Sequence, residues 1–231
     1  LSDAALVCAA GRKRDTIMHL ALGPWTRMES SKDSHRLARS ATVLPATNNK
    51  ETAMARIEKD FLGEKELPDS AYYGVQTLRG KENFHITGIP MSAEPYFVKA
   101  FGYVKKAAAL ANRDLGVLDA RVADAIVGAC DRLIAGEMCD QFVTDFIQGG
   151  AGTSTNMNAN EVIANLALES LGHKKGEYQF VSPNDHVNFG QSTNDIYPPA
   201  FRLALILRLA SHTDALRRLQ DAFYAKGKAS G

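Results

Sequence analysis

Gln191-Ser-Thr-Asn-Asp-Ile-Tyr-Pro-Pro-Ala200, running into Phe201-Arg-Leu-Ala-Leu-Ile-Leu-Arg-Leu-Ala-Ser-His-Thr-Asp-Ala-Leu-Arg-Arg-Leu-Gln-Asp-Ala-Phe-Tyr-Ala225, is the stretch that decides the fold class. Ile196, Ala200, Leu203, Leu207, Ala210, Leu216, Leu219 and Phe223 recur at helical spacing. They predict a helix from after Asp195 to about Ala225, about 30 residues or ~45 Å long. Pro198 and Pro199 are tolerable in a first turn, whose amides have no intrahelical partner. A helix this long and apolar in a soluble chain belongs to a bundle or an oligomer core.

Upstream, the same periodicity repeats. Phe97, Val98, Phe101, Val104, Ala108 and Leu115 stripe a helix from about Pro95 to Leu115, stopped by Gly116. Val122, Ile126, Val127, Cys130, Leu133 and Ile134 stripe another from Ala120 to Ala135, capped by Asp119 and ended by Gly136. A third is expected to start near Ala159, with Asn158 and Glu161 as a capping box, Val162, Leu166 and Leu168 as its apolar face, and Gly172 as its close. Pro68, Gly74, Gly80, Gly88 and Pro90 break residues 61–91 into turns and a small hairpin. No series of alternating strands supports an α/β fold. The expected class is all-α.

Residues 1–53 differ from the rest. They hold eight Lys/Arg against five Asp/Glu, lack periodicity, and between Met28 and Asn49 are rich in Ser, Thr and Asn. They are expected to be a disordered, dispensable extension, with a basic targeting peptide as the other reading. Residues 54–191 then form one domain, and 192–231 open a second, helical-bundle domain. The end at Gly227-Lys-Ala-Ser-Gly231 reads as an interruption inside or just beyond a helix.

Composition narrows the function. A net charge of +1 gives no reason to expect nucleic acid. No apolar run approaches the ~20 residues of a membrane span. The apolar run Ala4–Ala10 precedes Arg12, Lys13 and Arg14, the reverse of a secretory signal. Cys8, Cys130 and Cys139 make neither a disulfide framework nor a zinc motif, so a reducing cytoplasm is expected. His19, His35, His85, His173 and His212 have no partner at useful spacing.

Two segments could carry chemistry. Gln148-Gly-Gly-Ala-Gly-Thr-Ser-Thr-Asn-Met-Asn-Ala-Asn160 lacks the Gly-Lys-Ser/Thr of a P-loop and the spacing of a dinucleotide fingerprint. It offers flexible backbone and hydroxyls leading into a helix, which suits a carboxylate, or it is simply a loop. Ser182-Pro-Asn-Asp-His-Val-Asn188 reads as a turn with capping residues, too little for a metal site. Ser192-Thr193-Asn194 either cap the long helix or hold an anion against its positive end.

Together the segments resemble aspartate ammonia-lyases of the fumarase/aspartase superfamily. The resemblance rests on Asp69-Ser-Ala-Tyr-Tyr-Gly-Val-Gln-Thr-Leu-Arg79, Glu82-Asn-Phe84, Gln148–Val162, Gly176-Glu-Tyr178 and Ser182–Asp195, and covers roughly 56–226. Class II-type fumarases are similar, but usually read His-Pro-Asn-Asp-Asp-Val-Asn at Ser182–Asn188 and Leu-Trp-Gly at Tyr72-Tyr73-Gly74. The resemblance implies a mixed amino-terminal domain plus the first long helix of a central bundle. It implies reversible deamination of L-aspartate to fumarate without an organic cofactor, in a homotetramer whose sites draw on several subunits. It places Thr153, Ser192 and Thr193 on the β-carboxylate and Asn194 on the substrate amino group. The general-base Ser and a carboxylate-binding Lys would lie on a Gly-Ser-Ser-x-Met-Pro-x-Lys-x-Asn loop, and a Gly-Arg-Thr loop would precede it. Neither is among the 231 residues, so no catalytic residue is assigned. The competing expectation is a non-catalytic helical module with no need of the hydroxyls.

Overall fold

The computed structural model describes residues 55–230, so the expectations for residues 1–53 lie outside the described residues. The architecture is mainly helical. A hairpin of β1 (Ala55–Asp60) and β2 (Gly63–Pro68) precedes five helices: α1 (Val75–Asn83), α2 (Pro95–Asp114), α3 (Ala120–Ala135), α4 (Thr153–Ser170) and α5 (Thr193–Ser230). Among the described residues no helix is long and apolar enough to cross a membrane.

α2 and α3 form as their stripes predict. Pro95 sits in the first turn of α2, where a missing amide costs nothing. Asp119 accepts from the amides of Arg121 and Val122 at 2.9 and 3.2 Å, and Gly136 closes α3 in the left-handed region at φ 95°. The two helices pack closely because Gly102 has no side chain. A Cβ there would lie 2.9 Å from Ile134 Cγ1 and 3.0 Å from the Cys130 carbonyl.

α4 corrects the expectation. It begins at Thr153, not near Ala159, and Asn158 and Glu161 make no capping box. Both lie inside the helix and are buried. Asn158 accepts from the Val143 amide and donates to the Gln141 carbonyl, at 3.0 and 2.9 Å. Every residue from Thr155 to Leu168 except Met157 is buried, so α4 is the axis around which the described unit is packed. Its start is held by Gln148, whose side-chain oxygen accepts from the Thr155 amide at 2.6 Å.

α1 falls where turns and a hairpin were expected. Its first-turn amides are taken up by two carboxylates from elsewhere in the chain. Glu161 accepts from Gly74 N, Gln76 N and Thr77 N at 2.8, 2.9 and 3.1 Å, and Glu58 from Val75 N at 3.0 Å. Gly74 is required at this junction, because a Cβ would lie 2.6 Å from both Glu58 Oε2 and Tyr178 Oη. The hairpin straddles the start of the 61–91 window: its first strand lies before it and its second, Gly63–Pro68, inside it.

α5 spans 38 residues, about 57 Å at 1.5 Å per residue. It starts at Thr193, which moves Pro198 and Pro199 out of the first turn and into the second. The carbonyls of Asn194 and Asp195 therefore lose their i+4 amide donors. Ile196, Ala200 and Ala204 are buried, but every described residue from Arg208 onward is exposed. Leu209, Leu216, Leu219 and Phe223 leave an open apolar stripe, the kind of surface that marks a contact face.

Candidate active site

The first turns of α4 and α5 meet. Tyr197, one turn into α5, packs edge-on to Phe97 and Phe101 of α2, with ring centroids 5.2 and 6.2 Å apart. Its ring also lies against Gly152, where a Cβ would stand 2.2 Å from Tyr197 Cδ2. Gly152 has φ 95°, Gly150 φ 64°, and even Ala151 takes a left-handed φ of 53°. The loop before α4 is thus wound tightly enough to bring one helix start onto the other.

That approach brings two of the proposed binding residues together. Thr193 Oγ1 donates to Thr153 Oγ1 at 3.5 Å, and Thr153 Oγ1 donates to the Gly150 carbonyl at 2.6 Å. Thr153 is exposed and Thr193 half-buried, so the pair faces solvent at one edge. Each hydroxyl sits at the positive end of a helix.

Ser192 and Asn194 flank this pair without joining it. The Ser192 hydroxyl and amide both donate to Asp195 Oδ2, at 2.9 and 3.0 Å. An acid in the first turn reaching back to the preceding amide is half a capping box, supplied here by Asp195; the Ser192 hydroxyl itself accepts from no helix amide among the described residues. Asn194 is exposed, and its side chain makes no hydrogen bond among the described residues.

Ser182–Asn188 folds as a π-helical turn over Pro183–Val187. Ser182 Oγ accepts from the Asp185 amide and donates to Asp185 Oδ2, at 3.0 and 2.9 Å, and the Ser182 amide donates to His186 Nδ1 at 2.9 Å. Among the described residues no His, Cys, Asp and Glu group could hold a metal ion.

A second layer lies beneath the hydroxyls, and sequence reasoning missed it. Asn156 Nδ2 donates to Thr193 Oγ1 at 3.4 Å and to Asn188 Oδ1 at 3.2 Å. Asn188 Oδ1 and Gln191 Oε1 both accept from Lys105 Nζ, at 2.8 and 3.0 Å. One signal was available: Lys105 lies four and eight residues beyond Phe101 and Phe97, on the stripe assigned to the core.

The arrangement is a small polar surface of hydroxyls at two helix starts. It suits an anion, and a carboxylate in particular.

A sequence family described as lyase matches residues 63–230. The aspartate ammonia-lyase of Helicobacter pylori strain J99 is 58% identical over 173 residues, covering 75% of this chain and 37% of the relative. That of Pseudomonas aeruginosa is 57% identical over 175 residues, covering 76% and 37%, and that of Escherichia coli K12 is 53% identical over 172 residues, covering 74% and 36%. The chain therefore spans a little over a third of the length of these relatives. Among solved structures, a fumarate lyase:delta crystallin from Brucella melitensis superposes with a TM-score of 0.74 at 54% identity, over 76% of this chain and 41% of that one. A class II fumarase from Schistosoma mansoni gives 0.61 at 38% identity, over 65% and 32%.

Proposed function

The chain belongs to the lyase family that it matches over residues 63–230, and from that premise we propose that it contributes the hydroxyl cradle of an aspartate ammonia-lyase, which reversibly converts L-aspartate to fumarate and ammonia. The observation that carries this reading is the meeting of the Thr153 and Thr193 hydroxyls, 3.5 Å apart, at two helix starts. Identities of 53–58% to aspartate ammonia-lyases, against 38% to the class II fumarase, favour the amine substrate over the alcohol.

The chemistry explains why such a cradle is needed. The proton on the carbon next to the β-carboxylate is weakly acidic, and its removal leaves an enediolate carrying extra negative charge. Donors turned to that carboxylate gain strength as the charge builds. Thr193, and Thr153 on turning its hydroxyl from the Gly150 carbonyl, offer neutral O–H groups, which stabilise the enediolate without protonating it. The helix starts add a favourable field. Ser192 would join them by turning its hydroxyl from Asp195 to the carboxylate, and exposed Asn194 is free to meet the substrate amino group. No metal or organic cofactor is assigned.

The general base and the second carboxylate's lysine belong, on this reading, to loops outside these 231 residues. The open stripe of α5 supports a homotetrameric assembly, which we place in the cytoplasm. A polypeptide of these 231 residues alone is accordingly expected to form no fumarate from L-aspartate. Ultraviolet absorbance of fumarate checks this against a heat-killed control. Sustained turnover would overturn the assignment of roles.

A further inference from the structure

Lys105 has no exposed surface. Buried lysines usually face a carboxylate, yet none of the ion pairs among the described residues includes it. Its partners are the neutral side-chain oxygens of Asn188 and Gln191. Burial pulls the Lys105 ammonium down to about 7. Either protonation state keeps the two N–H groups those oxygens need.

A group that meets both amides with N–H donors dictates how they turn. Asn188 Oδ1 faces Lys105, and Asn188 Nδ2 donates to the Gln191 carbonyl at 2.9 Å. Gln191 Oε1 likewise faces Lys105, and Gln191 Nε2 donates to the carbonyls of Val187 and Phe189, both at 3.1 Å. Asn156 must then present its nitrogen to Asn188, because two amide oxygens would repel. The consequence is visible at the other end of that amide. Among the described residues, Asn156 Oδ1 is buried with no hydrogen-bond partner, as expected of an amide whose orientation is set at its nitrogen. The nitrogen so directed also reaches Thr193 Oγ1.

We infer that Lys105 is a positioning residue for Thr193. Through Asn188 and Asn156 it fixes the direction of a hydrogen-bond chain, so that Thr193 accepts from beneath and keeps its proton for the cradle. In the structure that proton points to Thr153 over 3.5 Å, a contact long enough to yield to a carboxylate. The functional meaning rests on the proposed role of Thr193; the direction of the chain does not.

Side-chain amide NMR of the 231-residue chain tests the inference without substrate. In Lys105→Met, which refills the volume without donors, the Asn156 and Asn188 side-chain signals should move. Exchange of the Asn156 amide protons should rise roughly tenfold, the scale of one lost hydrogen bond. Backbone signals of α3 should stay in place. If those side-chain signals remain unchanged while the core is folded, Lys105 only fills space and the inference fails. Should Lys105→Met not fold, Asn188→Ala keeps the lysine and removes the relay. Asn156 and Thr193 signals must then move, and their staying put would equally overturn the proposal. A Thr193→Val enzyme that kept its turnover would sink the carboxylate reading alone, so the two failures are distinguishable.

Discussion

Thr193→Val, in this chain joined to the remaining length of a related aspartate ammonia-lyase, is expected to lower kcat on the order of 10²–10³-fold, about 3–4 kcal/mol. Valine keeps the shape and removes the hydroxyl. The loss should fall on kcat far more than on KM, because the donor is assigned to charge that appears mainly in the transition state. A helix cap would behave otherwise, losing about 1 kcal/mol of stability with turnover nearly unchanged. Asp195 takes the Ser192 amide, whereas the Thr193 hydroxyl accepts from Asn156 and donates to Thr153. Thr153→Val should lower kcat in the same way and also cost stability. Its hydroxyl ties down the Gly150 carbonyl in a loop where Ala151 holds a positive φ. Thermal stability and kcat measured on both variants decide the matter. Variants that lose stability but keep wild-type kcat would make these residues architecture and the cradle wrong.

Glu161→Gln is expected to cost about 3 kcal/mol of stability, because the replacement puts an amide nitrogen where only donors point. Glu161 is 1% exposed, and its Oε2 accepts from Gly74 N, Thr77 N and Thr77 Oγ1, at 2.8, 3.1 and 2.5 Å. Its Oε1 accepts from Gln76 N at 2.9 Å. A glutamine can satisfy one of these sets, but its NH₂ must then face the donor of the other. The unfolding midpoint should fall about 6–12 °C for a domain of this size. Glu82→Gln serves as the comparison. Glu82 pairs with Lys65 at the surface, and its loss should change stability by less than about 1 kcal/mol. Equal, small effects at both positions would mean that α1 holds itself without Glu161.

The same residue shows where the sequence could be read and where it could not. α2 and α3 were legible because each carries its own signals: an apolar stripe, a proline or aspartate at the start, a glycine at the end. α1 was not, because the carboxylate holding its first turn lies 87 positions away from Gly74. The start of α4 was hidden for a related reason. Thr155, Asn156, Asn158 and Asn160 look like a solvated loop, yet all four are buried. Gln148 and neighbouring backbone satisfy Thr155 and Asn158, a pairing that periodicity does not reveal. In the site, the hydroxyls were legible from their motifs. Their support was not, since the core-stripe position of Lys105 hints at burial but not at its partners Asn188 and Gln191, which come from a distant segment.

Substrate choice is the most direct test of the central claim. This chain, joined to the remaining length of a related aspartate ammonia-lyase and purified as an assembled enzyme, is to be given L-aspartate and L-malate in parallel while fumarate is followed by its ultraviolet absorbance. Fumarate and ammonia should form from L-aspartate, with no comparable rate from L-malate. An assembled, folded enzyme that dehydrates L-malate and leaves L-aspartate untouched would contradict the account.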